Sequence, residues 1–166
     1  MGRSARSDYT AIIVLLKDAK TKILYVIAAD VIQCTPDEAI QKIIQYAHMY
    51  RFFQFAVESN NFQELMVNEL RRRLRRNGYS FKVNALRHNS QKQARICSLE
   101  PYVTQGTVQF SRKHTELISQ LTQFPMAKND DGPDALQMAV ELARKRVRIA
   151  TAGIENIVRM HALYDD

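Results

Sequence analysis

The stretch Asp130-Asp131-Gly132-Pro133-Asp134-Ala135-Leu136 puts three carboxylates within five residues. Gly132 permits a tight turn and Pro133 fixes entry into a helix. Asp131, just before that helix, and Asp134, in its first turn, therefore face the same way. Helix capping and the helix dipole account for one or two such acids, at roughly 0.3–1 kcal/mol each, and less readily for three. A further carboxylate, Glu58, closes the apolar run Phe52-Phe53-Gln54-Phe55-Ala56-Val57. Ionised at the end of a buried strand, it needs a partner or a metal, because burying it alone costs on the order of several kcal/mol. Facing solvent or capping the next helix is the plainer account of Glu58 taken by itself. Together, carboxylates from two distant segments are what two-metal phosphoryl chemistry requires. Two divalent ions roughly 3.5–4 Å apart activate water and stabilise the leaving oxygen. Hard oxygen donors select magnesium or manganese over zinc.

A polyanion is the partner that the charge pattern suggests. Over 166 residues, 24 Lys and Arg stand against 17 Asp and Glu, a net charge of +7. Nine of the basic residues (Arg71, Arg72, Arg73, Arg75, Arg76, Lys82, Arg87, Lys92 and Arg95) fall in a window of 25 positions that holds no acid. A second cluster is Arg144, Lys145, Arg146 and Arg148. A short run of like charges is usually a solvated helix face. A window this long without a counter-charge favours a surface that tracks phosphates.

The elements that must position these groups follow from periodicity. Residues 9–16 and 23–32 are apolar and β-branched and read as a hairpin about the polar turn Asp18-Ala19-Lys20-Thr21. Thr35-Pro36-Asp37-Glu38 is a helix start: Thr35 caps, Pro36 suits the first turn, and Glu38 completes a capping box. Ile40, Ile43, Ile44 and Ala47 carry that helix to about Tyr50. Residues 52–58 read as a buried strand. Ser59 or Asn60 caps a helix striped by Phe62, Leu65, Met66, Leu70 and Leu74, which Gly78 ends. Further expectations are a strand at 81–86, a helix over 91–103 disturbed by Pro101, a strand at 107–110, a helix over 114–124, a loop at 128–132 and a helix over 133–148. Residues 149–166 read as a helical tail with Ile154, Ile157, Val158 and His161 on one side. The layout is α/β with a mixed sheet, in which reactive groups gather at the carboxyl ends of strands, where Glu58 stands.

Several classes are disfavoured. An apolar fraction of 46% is enough for a core and argues against wholesale disorder. The longest apolar runs are too short to span a bilayer. Cys34 and Cys97 stand far apart, so neither a disulfide framework nor a zinc knuckle is indicated. Arg3 and Arg6 lead into Ser7-Asp8 without a secretory pattern.

Four segments in order, Ser7-Asp8-Tyr9-Thr10-Ala11-Ile12, Thr35-Pro36-Asp37-Glu38, Val57-Glu58-Ser59-Asn60 and Asp130-Asp131-Gly132-Pro133-Asp134-Ala135-Leu136, resemble the C-terminal nuclease domain of tailed-phage and prophage terminase large subunits. The resemblance spans roughly residues 7 to 143, and His88-Asn89-Ser90-Gln91-Lys92 with Arg95, Leu99 and Glu100 looks like the same family's intervening segment. It implies an RNase H-like mixed sheet flanked by helices over residues 1–148, followed by the 149–166 tail. It also implies metal-dependent endonucleolytic cutting of concatemeric viral DNA in the host cytoplasm. Glu58, Asp131 and Asp134 stand at the metal and catalytic positions of such a site, which takes magnesium or manganese as a pair of ions. Arg71, Arg72, Arg75, Arg76, Arg87, His88, Lys92 and Arg95 would lie on the DNA side. The partners implied are double-stranded DNA, a packaging ATPase, the small terminase subunit and the portal, with no membrane involved.

The resemblance departs in one place. The family carries its first metal Asp on a first, central strand ahead of the Asp-Tyr-Thr-Ala segment, and the sequence starts after it, with Asp8 too late to take the role. No phosphate-loop motif of an ATPase occurs either. The expectation is a sheet with an unpaired edge at its centre, prone to association, and an impaired nuclease. The alternatives are a non-catalytic DNA-binding remnant, a split partner of a separate packaging ATPase, and, less supported, a resolvase or transposase of the same fold.

Overall fold

The computed structural model describes residues 9–58, 63–86 and 91–145. The expected caps Ser59 and Asn60, the stripe residue Phe62, the DNA-side residues Arg87 and His88, and the 149–166 tail all lie outside those residues.

The hairpin forms as read. Strand β1 is Tyr9–Lys17 and β2 is Leu24–Gln33, paired antiparallel from Tyr9↔Gln33 to Lys17↔Leu24. Asp18 organises the turn: its carboxylate accepts from the Lys20 amide at 2.8 Å and from the Thr21 hydroxyl at 2.6 Å. The register slips between Val14 and Leu15, where Val14 faces Ala28 but Leu15 faces Val26, leaving Ile27 as an extra residue on β2.

Helix α1, Pro36–Tyr50, starts on the full capping box: the Glu38 amide donates to the Thr35 hydroxyl, and the Thr35 amide donates to the Glu38 carboxylate at 2.7 Å. Strand β3 is Gln54–Glu58, shorter than read, because Arg51 ends α1 in the left-handed region and Phe52 and Phe53 only bring the chain round. Helix α2, Gln63–Arg76, ends as expected at Gly78, whose φ of +81° lets the Tyr79 amide bond back to the Leu74 carbonyl.

Strand β4, Lys82–Leu86, pairs parallel with β3, Glu58 lying opposite Leu86. The single helix read over 91–103 is two short ones, α3 (Lys92–Cys97) and α4 (Glu100–Thr104). Pro101 is the cause: it has no N–H to continue the ladder but suits the first turn of a new helix. Strand β5, Val108–Phe110, joins β2 in parallel, and α5 (Thr115–Gln123) leads to α6 (Asp131–Arg144). Helix α6 starts two residues earlier than read, so Asp131, Gly132 and Pro133 form its first turn.

The strands make two ladders, β1-β2-β5 and β3-β4, with no hydrogen bonds between them among the described residues. Helix α6 packs across both, touching β1, β2 and β3. One core lies on the face covered by α1 and α2, centred on Ile12, Val14, Ile43 and Leu70. The other lies on the face covered by α5 and α6, centred on Val26, Leu117 and Leu136. The result is a three-layer helix–sheet–helix arrangement.

Candidate functional site

Two side-chain hydrogen bonds orient the strands against α6. Gln54, first in β3, donates to the Leu142 carbonyl at 3.3 Å, and Lys17, last in β1, donates to the Ala143 carbonyl at 2.8 Å. Both contacts lie near the carboxyl end of α6. From Gln54 to Glu58 the strand advances about 13 Å, and from Leu142 back to Asp134 the helix retreats about 12 Å. Helix α1, packed on the sheet between β2 and β3, returns the chain to the end where α6 terminates before β3 begins, so β3 runs with β2 and carries Glu58 toward the end at which α6 starts. The carboxyl end of β2 lies there as well, since a Cβ on Gly132 would stand 3.1 Å from a methyl of Val31.

Helix α3 returns to this end and places two cations among the acids. Arg95 donates to Asp134 at 2.6 Å, and the two side chains are only 9% and 7% exposed. The Lys92 ammonium lies 2.7 Å from Asp130 and 3.7 Å from Asp134. Burial opposes the charge on Lys92, but the hydrogen bond it donates to Asp130 and the charges of Asp134, Asp130 and Asp131 outweigh it and raise its pKa. For Asp131 the balance goes the other way: burial raises its pKa, Lys92 opposes, and Asp130 adds to the rise. Glu58 is half-buried at the strand end.

Asp130, Asp131, Asp134, Lys92 and Arg95 are thus brought together, and Glu58 shares their end of the sheet. Among the described residues, no group of three or more His, Cys, Asp or Glu side chains is placed to hold a metal ion. Glu58 and Asp131 carry the hard oxygen donors that such a cation takes, while both carboxylate oxygens of Asp134 face cations, Arg95 at 2.6 Å and Lys92 at 3.7 Å.

The arginines of α2 are less free than the acid-free window implies. Glu69 and Asp37, both outside the window, answer them. Arg72 donates to Glu69 at 2.6 and 2.7 Å, and Arg73 reaches both Glu69 and Asp37. Hydrogen bonds from Arg72 and then Arg73 hold the Glu69 carboxyl down to about 2. Arg71 donates to the Val83 carbonyl at 3.0 Å, which ties α2 to β4. Arg75 and Arg76 are exposed and in no ion pair among the described residues.

One contributor escaped sequence reasoning. Gln120 is 4% exposed, and its side-chain oxygen accepts from the Gly132 amide at 3.0 Å. Its one signal is a polar residue three positions after Leu117, on the apolar side of an amphipathic helix.

A family model of the terminase RNaseH-like domain matches residues 1–143. The chain belongs to that family. The mixed sheet flanked by helices is the RNase H-like fold, and the family carries a terminase nuclease-type function. A search of curated proteins gives no match. As a terminase domain the chain is expected beside DNA and a packaging complex, and no helix among the described residues is long and apolar enough to cross a membrane. The resemblance first seen in four short segments therefore extends over most of this terminase domain.

Proposed function

We propose that the chain is a terminase nuclease domain that cleaves double-stranded viral DNA with magnesium or manganese, held by Glu58 and Asp131. The observation that carries this reading is the convergence of the Glu58 strand end and the first turn of α6 on one end of the sheet, in a chain of the terminase family. The bound ion would supply an activated water and charge stabilisation. Glu58 and Asp131 would hold it, and Asp131, partly desolvated, stays in reach of a cation. With Asp134 in an ion pair, few carboxylates remain for a pair of ions, so cutting by this chain alone should be weak.

The expected result in a plasmid assay with Mg2+ or Mn2+ is weak or undetectable nicking, with any residual signal lost in Glu58→Ala. Robust Mg2+-dependent cutting would overturn the impairment. Robust cutting that survives Glu58→Ala would also move the site elsewhere.

A DNA-binding role without cleavage is favoured by Arg75 and Arg76, which project from the end of α2 without acidic partners among the described residues. Each phosphate contact releases about 0.9 counterions. Replacing both with alanine should therefore flatten the log–log salt dependence of duplex binding by about 2, read by fluorescence anisotropy. Binding should survive Asp131→Ala. An unchanged slope would remove α2 from the DNA surface. Lys92 and Arg95, engaged with Asp130 and Asp134, are poorer phosphate ligands than the sequence implies.

A further inference from the structure

We infer that the space between β1 and β3 is a docking slot for one extended strand, and that its occupant is the segment 146–152 that follows α6.

The two ladders share no hydrogen bond, and among the described residues β1 and β3 barely approach one another along the backbone, as paired strands do throughout. They are nevertheless neighbours in one layer. Ile12 and Val14 of β1 share a core with Phe55 and Val57 of β3. Helix α6 lies chiefly on β1 and touches β2 and β3, without comparable contact to β5, so β3 stands beyond the free edge of β1. Both facing edges carry N–H and C=O groups with no strand partner among the described residues, in a sheet covered on both faces. Buried groups of this kind are nearly always paired, and an open edge is a template for another strand. Strand β3 shows the same deficit in its side chains: Phe55, Ala56 and Val57 are apolar, yet none is fully buried.

Where α6 stops points to the occupant. Lys17, last in β1, and Gln54, first in β3, both donate to carbonyls of its last turn, Ala143 and Leu142. The helix therefore ends over the mouth of the slot, and Lys145 leaves it in an extended conformation, with φ −61° and ψ 132°. Residues 146–152 read Arg-Val-Arg-Ile-Ala-Thr-Ala before Gly153. The β-branched Val147, Ile149 and Thr151 alternate with Arg148, Ala150 and Ala152, a strand period that Gly153 closes. The helical stripe of Ile154, Ile157, Val158 and His161 begins only after that glycine. Entering from the carboxyl end of α6, the segment runs antiparallel to β1 and parallel to β3. The alternation then suits a slot with a helix on either side: small Ala150 and Ala152 under α6, larger β-branched residues toward α1 and α2. Arg148 stays near the last carbonyls of α6, where a cation is favoured.

The experiment is nuclear Overhauser spectroscopy of the isotope-labelled full chain. Residues 147–152 should show antiparallel backbone contacts to β1 and parallel ones to β3. A strand paired on both sides uses every N–H. Ala150→Pro, with folding confirmed by circular dichroism, should therefore speed hydrogen exchange in β1 and β3 by at least about tenfold. Asn156→Pro, beyond Gly153, should leave that exchange unchanged. If the Ala150→Pro chain fails to fold, the wild-type contacts decide alone. No contact from 147–152 to either strand, direct pairing of β1 with β3, or unchanged exchange in folded Ala150→Pro would each overturn the inference. Strand contacts found only between labelled and unlabelled copies would overturn it as well, and assign the slot to a second copy of the chain.

Discussion

Asp134→Ala should lower the free energy of unfolding by about 3–5 kcal/mol, measured by urea denaturation. The loss comes from what remains behind. Arg95 is 9% exposed, and without Asp134 its guanidinium stays buried opposite an alanine methyl. Lys92, 3.7 Å from the same carboxylate, retains Asp130 and cannot compensate. Replacing both partners with apolar residues of similar volume, as in Arg95→Met with Asp134→Leu, should recover most of the loss, because no buried charge is left at the contact. The double variant also separates structure from metal binding. If Asp134 serves to brace α3 on α6, the folded double variant still binds Mn2+ through Glu58 and Asp131. If Asp134 were a ligand, recovery of stability would leave binding lost.

Gly132→Ala should cost roughly 2–5 kcal/mol although it adds one carbon. A Cβ there would stand 2.9 Å from the Gln120 side-chain oxygen, 3.1 Å from Val31 and 3.2 Å from Leu117. The nearest of these is the oxygen that accepts the Gly132 amide. Moving Gln120 aside to relieve the contact leaves a buried N–H without a partner, so crowding and hydrogen-bond loss add. Moving α6 aside instead shifts Asp131 away from β2. Thermal melting distinguishes this from a glycine whose role is only backbone freedom: Gly132→Ser should be no milder than alanine, since its Cβ meets the same atoms. A melting temperature within a degree or two of wild type would show that the first turn of α6 can shift freely.

The parts of the fold that were legible in the sequence are those specified by near neighbours. The capping box of α1 needs only Thr35 and Glu38, three residues apart, and Gly78 announces the end of α2 by its own conformational freedom. Pro101 signalled trouble in its helix, and the outcome was a clean break, because a proline that ends one helix readily begins another. The α/β layout with a mixed sheet was readable for the same reason, as a succession of local periodicities, whereas its RNase H-like character rested on the resemblance of four segments to a family. The site was legible in its residue types and not in its pairings. Asp134 and Arg95 are 39 positions apart, and Asp37 and Arg73 are 36 apart. Nothing in a local pattern says that a run of arginines will be answered by an acid from a different helix. Asp131 and Asp134 look equivalent in sequence, one turn apart. They differ in their surroundings: α3 pairs Asp134 with the buried Arg95.

The extra residue on β2 makes that strand two segments of opposite phase. Before it, Leu24 and Val26 face the core beneath α5 and α6, and after it Ala28 faces the core beneath α1 and α2. Asp30 follows Ala28 on that side and accepts from the Tyr46 hydroxyl at 2.5 Å, while Val31 turns toward Gly132. Inserting one residue between Ala28 and Asp30, with no second bulge to absorb it, would exchange those two assignments, driving a carboxylate under α6 and a valine toward Tyr46. Strand β2 is thus sensitive to its length in residues as well as to its composition. An insertion or deletion that keeps every apolar residue would still misplace the end of the sheet on which the acids converge.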